Sequence, residues 1–189
     1  MASRVPKRFL ILKMHLKSHH LSSVKEAGRP KYPSTDVVSM ITISKDESLS
    51  DIDTTWLEGE AQLLLHALGY DDFDLGIMLT TNNVIQDFSK RYRDINRPTD
   101  VLSFPYHLKL AAGQKITPAS DEDKAIGDII ISLEYVAEHP MPDTSFQEHV
   151  RILLVHGLCH LLGYTHDTDA AYEIMSTKER ELLELLANH

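Results

Sequence analysis

A chain of 189 residues, of which 42% are hydrophobic, is long enough to bury one good core and most simply forms a single domain. None of its apolar runs approaches the roughly 20 residues that a membrane-spanning helix requires, so we expect no membrane partner. A single cysteine excludes an internal disulfide framework and is compatible with a reducing compartment.

The charge is unevenly distributed along the chain. Residues 1–35 carry eight Lys or Arg and one acid, a net charge of +7, so the remainder carries −16 to reach the formal total of −9. A basic, acid-poor segment with Ser and His is typical of an organelle transit peptide or of a flexible basic arm. The loose alternation over residues 8–16 also fits a first strand. We favour the targeting or arm segment, which predicts a mitochondrial or plastid protein, with a cytoplasmic one as the alternative, and one folded domain at 36–189.

Apolar periodicity and turn residues predict four strands and five helices after Asp36. The strands are rich in apolar and β-branched residues and are expected at 37–43, 73–79, 101–104 and 125–132. The helices are expected at 55–68, 83–92, 133–138, from a cap at Ser145 into a histidine-rich segment, and at 169–187. This order predicts an α+β (or α/β) fold, in which a small mixed β-sheet of about four strands is backed by helices.

Local signals within these elements make further predictions. Gly69 should end the helix 55–68 in a left-handed conformation. Residues 106–124 have the composition of a mobile loop, and long loops inside compact domains are usually functional or disordered. In the last helix, the stripe that faces the core is predicted to consist of Tyr172, Met175, Leu182, Leu185 and Leu186.

Three histidines, His156, His160 and His166, have the spacing that a single metal ion requires. His156 and His160 are four residues apart, so they project from one face of a helix. Gly163 can adopt a left-handed conformation, which ends the helix and brings His166 back to the other two. Three imidazoles without an obvious fourth ligand predict a catalytic site for one Zn2+ ion, on a helix in the C-terminal half of the chain. Cys159 points away from this face and is predicted to be a core residue.

The spacing His160-x-x-Gly163-x-x-His166 overlaps the signature of the metzincin proteases. Those proteases carry a glutamate directly after the first histidine, and this glutamate is the general base. Here the position is Gly157, which cannot take or give a proton. A peptidase of that type is therefore not the favoured interpretation.

The stretch 90–97 is the most cationic part of the chain after residue 35. Lys90, Arg91 and Arg97 are interpreted as a solvated face. Arg93 stands where a helix gives way to a loop ahead of a strand, a place from which a guanidinium can point into a cleft. Arg93 is therefore the candidate site residue of this stretch.

Four motifs occur in a fixed order along the chain. They are Tyr92-Arg93 through Pro98-Thr99-Asp100-Val101-Leu102-Ser103-Phe104-Pro105, then Gly127-Asp128-Ile129, then His156-Gly157-x-x-His160-Leu161-x-Gly163-Tyr164-x-His166, and finally Met175 with Glu179. This combination, which spans roughly residues 36–187, resembles the YbeY family of zinc-dependent endoribonucleases, the rRNA maturation factors of bacteria and organelles.

The resemblance implies single-strand-specific cleavage of RNA in small-subunit rRNA maturation and ribosome quality control. It also implies that His156, His160 and His166 are the metal ligands and that Arg93 is the cleft arginine. The family commonly has Tyr-Asp-His where this chain has Tyr164-Thr165-His166. That difference spares the ligands, and Asp167 is the residue that can replace any proton role of the missing aspartate.

The chemistry can also be argued from the residues themselves. Zinc on three neutral imidazoles lowers the pKa of its bound water to about 7, so a metal-activated water can attack a phosphodiester while Arg93 holds the phosphate. The proton donor is open between Asp100 and Asp128, each at a strand end, and both fit equally well as turn or cap residues.

Two other functions remain as alternatives. A non-catalytic ribosome-assembly factor with a structural zinc would need a fourth ligand, for which Cys159 and Asp167 are nearest in sequence. A metallopeptidase-like hydrolase would need a carboxylate base beside the metal. The acidic remainder of the chain is unusual for a nucleic-acid binder, so a protein of the ribosomal small subunit is a further expected partner.

Overall fold

The computed structural model describes residues 40–189. The basic segment 1–35 and the beginning of the predicted strand 37–43 lie outside the described residues, so the transit-peptide and arm interpretations stay predictions. None of the described helices is both long and apolar enough to cross a lipid bilayer.

The centre of the domain is a mixed sheet of four strands. In chain order the strands are β1 (Ile41–Lys45), β2 (Asp74–Thr80), β3 (Val101–Pro105) and β4 (Ala125–Ser132). Their order across the sheet is β1-β2-β4-β3, with β1, β2 and β4 parallel and β3 antiparallel to β4. The predicted small mixed sheet of four strands is therefore confirmed.

Five α-helices surround the sheet within the described part of the chain. They are α1 (Thr55–Leu68), α2 (Asn82–Arg93), α3 (Leu133–Glu138), α4 (Phe146–Leu161) and α5 (Asp169–Ala187). Gly69 ends α1 with a φ of 71°, as predicted. Helix α2 begins one residue earlier than expected, because Thr81 and not Asn82 is the residue before its first turn.

The sheet is covered on both faces, as strands buried on both sides require. The larger core lies on one face, where Ile129 and Ile131 of β4 pack with buried residues of α1, α4 and α5. On the other face Ile130 packs with Phe88 and Ile85 of α2. The alternation along β4 therefore decides which of its side chains face α4, the helix with the two closely spaced histidines.

The segment 106–124 is largely a loop, as predicted, and its middle is attached to the core. Ile116 is buried, its N–H donates to Tyr70 Oη at 3.2 Å, and the Lys115 ammonium lies 4.8 Å from the centre of the Tyr70 ring. The prediction that Tyr172 belongs to the core-facing stripe of α5 was wrong: Tyr172 lies in the first turn of the helix and is 56% exposed, and the buried stripe begins at Met175.

Candidate metal centre

Helix α4 positions two of the three histidines. Its N-terminus is capped by Ser145, whose Oγ accepts a hydrogen bond from the Glu148 N–H at 3.2 Å. Val150, Leu154 and Leu158 are buried against the sheet. A Cβ at Gly157 would lie 2.9 Å from Ile129 Cγ2, so only glycine allows this close approach of helix to strand. Position 157 therefore faces the core, and a side chain there would not point at a metal.

The turn after α4 brings the third histidine back to the other two. Gly163 has a φ of 82°, and a Cβ at this position would collide with the Leu110 carbonyl. The following residue, Tyr164, offers its carbonyl oxygen to His160 Nδ1 at 3.0 Å. The predicted left-handed glycine is present, and the turn that it makes also fixes one of the imidazoles.

The three imidazoles converge on a common point. The Nε2 atoms of His156 and His160 are 3.1 Å apart, and one ligand atom from each of the three histidines lies within 4.8 Å of the others. Two nitrogens bound to one tetrahedral zinc at about 2.0–2.1 Å would be separated by about 3.3 Å. The cluster can therefore hold a metal ion with little adjustment of His156 and His160.

The hydrogen bonds on the far sides of the rings determine where the lone pairs point. His156 Nδ1 donates to Glu179 Oε1 at 2.7 Å, and His160 Nδ1 donates to the Tyr164 carbonyl, since neither a carboxylate nor a carbonyl can donate. In the neutral rings both Nε2 atoms then carry lone pairs that face each other at 3.1 Å. Two lone pairs at this distance repel, and a cation between them removes the repulsion.

Burial acts on the cluster in the same direction. His160 is half-buried, and desolvation together with the neighbouring His156 lowers the pKa of its imidazole. A metal binds the neutral form of imidazole, so the site favours the form that binds. His166 is exposed, which leaves one side of the cluster open to solvent.

A cleft of about 700 Å³ opens onto the three histidines. Edge strand β3 and the loop after it form one wall, and Arg93 at the C-terminal end of α2 lies at its rim. Two acids, Asp100 and Glu179, also line the cleft. Asp100 Oδ1 accepts hydrogen bonds from the Val101 N–H at 2.7 Å and from Thr99 Oγ1 at 2.9 Å.

Of the other candidates from the sequence, Lys90, Arg91 and Arg97 do not line the cleft. Asp128 does not line it either, because it lies on the face of β4 shared with Ile130, away from α4. There burial raises the pKa of its carboxyl group to about 6, and Oδ1 has no hydrogen-bond partner among the described residues. Asp128 is thus poorly placed to be the proton donor.

Neither proposed fourth ligand belongs to the histidine cluster of the described residues. Cys159 is buried in the main core, and burial raises the pKa of its thiol to about 12. Asp167 is exposed. The contact of Glu179 with His156 was not predicted, although Glu179 was recognised as part of a motif, because residues 23 positions apart meet only through the packing of α5 on α4.

Comparison with known proteins gives a consistent family. A family model described as endoribonuclease YbeY matches residues 42–187. Human endoribonuclease YbeY is 39% identical over 130 residues, which cover 69% of this chain and 78% of that protein. Endoribonuclease YbeY of Lysinibacillus sphaericus is 31% identical over 150 residues, 77% of this chain and 95% of that protein. The solution structure of a Thermotoga maritima protein has the same fold, with a TM-score of 0.52 at 23% identity over 78% of this chain and 89% of the other.

Proposed function

The chain belongs to the YbeY family of endoribonucleases, and from this premise we propose that it is a zinc-dependent endoribonuclease that cleaves single-stranded RNA. The observation that carries the proposal is the cluster of His156, His160 and His166, which is open to a cleft that Arg93 also lines. Three protein ligands with an open position are typical of a catalytic and not of a structural zinc.

Zinc is the ion that suits this donor set best. Three imidazoles without a carboxylate favour zinc over magnesium or calcium, which prefer oxygen ligands. When bound, the ion would supply Lewis acidity and lower the pKa of a water molecule toward about 7. In the proposed site His156, His160 and His166 hold it.

Substrate binding and proton transfer are assigned to the protein's own side chains. Arg93 is exposed at the rim of the cleft, where its guanidinium can bind two non-bridging oxygens of a phosphodiester and orient it towards the histidines. Of the two proton donors considered, Asp100 lines the cleft and Asp128 does not. We therefore assign the proton-transfer role to Asp100, whose carboxylate is fixed by the Val101 N–H.

The proposed biological setting is maturation of small-subunit rRNA and quality control of ribosomes. The formal net charge of the chain is −9, which weakens nonspecific attraction to the phosphate backbone. Recruitment by a protein of the ribosomal small subunit would supply the missing affinity. If residues 1–35 are a transit peptide, the compartment is a mitochondrion or plastid, and the mature N-terminus isolated from organelles tests this.

The test is cleavage of a labelled single-stranded RNA, with duplex RNA and casein alongside, by wild type, His160→Ala, Arg93→Ala and Arg97→Ala. Arg97 is the matched control, because it is an exposed arginine of the same stretch that does not line the cleft. Zinc is quantified in every preparation.

We expect the single-stranded RNA to be cleaved by wild type and Arg97→Ala, zinc to be lost from His160→Ala alone, and Arg93→Ala to keep its zinc but lose most activity. Unchanged cleavage by both His160→Ala and Arg93→Ala would contradict the proposal. It would point to a contaminating nuclease and favour an assembly factor without catalytic activity.

A metal-dependent peptidase is a second candidate, since one observation favours it. Strand β3 is at the edge of the sheet and its residues line the cleft, and an edge strand can pair with an extended peptide. Against it, neither residue 157 nor Glu179 is placed to be the carboxylate base that a peptidase needs. Gly157 packs on Ile129, and Glu179 is hydrogen-bonded to His156 Nδ1, on the far side of the ring from Nε2. Zinc-dependent cleavage of casein would decide for this candidate.

A further inference from the structure

Glu179 is an acid in an apolar position. On α5 it lies one turn after Met175 and three residues before Leu182, both of which are buried. A carboxylate on the core-facing side of a helix loses hydration, and such a residue needs a specific partner to offset that cost. The glutamate side chain is only 24% exposed.

The partner of Glu179 is one of the three clustered histidines. Glu179 Oε1 lies 2.7 Å from His156 Nδ1. The neighbouring cation on the helix, Lys178, is paired with Glu181 at 3.0 Å. The ionised carboxylate can only accept, so this hydrogen bond keeps the proton of neutral His156 on Nδ1 and leaves the Nε2 lone pair facing His160.

We propose that Glu179 is a positioning residue that fixes the tautomer and ring orientation of His156 and thereby sets the zinc affinity of the site. This inference rests on the proposed function, because it assumes that the cleft binds zinc. A carboxylate behind a ligating imidazole also strengthens the imidazole as an electron donor, and loss of such a partner typically weakens metal binding by about 10–100-fold. The backbone carbonyl of Tyr164 does the same for His160, but only the Glu179 contact depends on a side chain.

Helix α5 thus contributes to the site without contributing a ligand. Met175 and Leu182 anchor the helix in the core on either side of Glu179, so the carboxylate is held by packing and not by a flexible loop. The prediction is that the carboxylate charge and its reach both matter. Glu179→Gln keeps the shape but removes the charge, and its amide can flip and donate to Nδ1, which would favour the wrong tautomer.

The experiment measures the zinc dissociation constant of metal-free protein by competition with a chromophoric chelator. The variants are wild type, Glu179→Gln, Glu179→Asp and Glu181→Gln. Glu181 is the matched control, because it lies on the same helix, is exposed and undergoes the same charge change. We expect Glu179→Gln and Glu179→Asp to bind zinc about 10–100-fold more weakly, and Glu181→Gln to bind like wild type. Equal affinity of wild type and Glu179→Gln overturns the proposal, as does an equal loss in Glu181→Gln.

A second measurement separates positioning from a structural role. Nitrogen-15 NMR of the imidazoles in metal-free wild type reports which nitrogen of His156 carries the proton. We expect the proton on Nδ1 in wild type and a shift of population in Glu179→Gln; a proton mainly on Nε2 in wild type overturns the proposal. If wild type fails to bind zinc, the proposed zinc function fails, and the NMR measurement still decides whether Glu179 holds His156.

Discussion

Asp128 carries a carboxyl group inside the domain, where burial raises its pKa from its ordinary value near 3.8 to about 6. Between these two values an unfolded chain has released the proton, whereas the folded protein retains it. The folded state therefore binds more protons in this window, and its stability falls as the pH rises through it. The contribution of Asp128 to the free energy of unfolding is fully present below pH 3.8 and lost above about pH 6.

The variant Asp128→Asn removes this titration while keeping the shape of the side chain. We expect the free energy of unfolding of the variant, relative to wild type, to rise by roughly 2–2.5 kcal/mol between pH 4 and pH 7. Urea unfolding of the metal-free proteins at several pH values measures the difference, and the titrations common to both cancel. If the difference in the free energy of unfolding did not vary with pH, the pKa of the Asp128 carboxyl group would not be raised in the folded protein.

Lysine substitutions at Arg93 and Arg97 distinguish the effect of guanidinium geometry from the effect of positive charge. Lysine keeps the charge but cannot form two parallel hydrogen bonds to one phosphate. We expect Arg93→Lys to lower kcat/KM for single-stranded RNA by about 10–100-fold, the loss of one charge-assisted hydrogen bond. The same change at Arg97, outside the cleft, should have little effect. Equal kcat/KM for wild type and Arg93→Lys would reduce the role of Arg93 to a positive charge.

The candidate ligands were predictable at this scale because local rules define them. A spacing of four places His156 and His160 on one helix face, and Gly163 at a φ of 82° returns the chain to His166. The face of the sheet on which Asp128 lies was not predictable. The pairing of β4 with β2 has a register shift just before Asp128, and this shift determines which side chains of β4 point to which face. A shift of one residue would have moved its side chain to the other face.

At the scale of elements, two helical glycines have opposite roles. Gly157 is buried in α4, where an added Cβ would lie 2.9 Å from Ile129 Cγ2, whereas nothing lies within 4 Å of a Cβ at Gly59 in α1. We expect Gly157→Ala to cost about 1–3 kcal/mol through overpacking. Gly59→Ala should add roughly 0.5–1 kcal/mol, because alanine has less freedom in the unfolded chain.

Chemical unfolding of the two alanine variants tests this contrast, and Gly157→Ala should cost less in an Ile129→Ala background than in wild type, because alanine at 129 lacks the contacting atoms Cγ1, Cγ2 and Cδ1. If Gly157→Ala were as stable as wild type, the close packing of α4 on β4 would not constrain residue 157. The glycine would then have to be explained by something other than the contact between helix and strand.

Element types were predictable from the sequence, but their arrangement was not. The strand observed at Ala125–Ser132 and the helices at Thr55–Leu68 and Asp169–Ala187 coincide with the predicted ranges, since periodicity and capping are local. The sheet order places β4 between β2 and β3 although β3 precedes it in the chain. Such pairing depends on long-range packing, which neither propensity nor turn residues encode.

At the scale of the whole molecule, the histidine cluster connects α4, the turn after it and α5. His156 and His160 are on α4, His166 follows the turn, and Glu179 joins α5 to the site. A ligand that binds only this folded arrangement stabilises the entire domain by mass action. Zinc binding should therefore be visible in global unfolding and not only in catalysis.

Removal of the metal should lower the unfolding midpoint of wild type. With free zinc at about 100 times its Kd the expected stabilisation is about 2.7 kcal/mol, which corresponds to roughly 5–10 °C for a domain of this size.

Scanning calorimetry with zinc and with a chelator measures the shift in wild type, His160→Ala and His107→Ala. His107 is the control, because it also lines the cleft but is outside the cluster, its Nε2 donating to the Asp123 carbonyl at 3.1 Å. The zinc-dependent shift should vanish in His160→Ala and persist in His107→Ala, even if the latter unfolds at a lower temperature in both conditions. If the zinc-dependent shift persisted in His160→Ala, zinc would stabilise the protein by binding to other groups, and the histidine cluster would not be the metal centre.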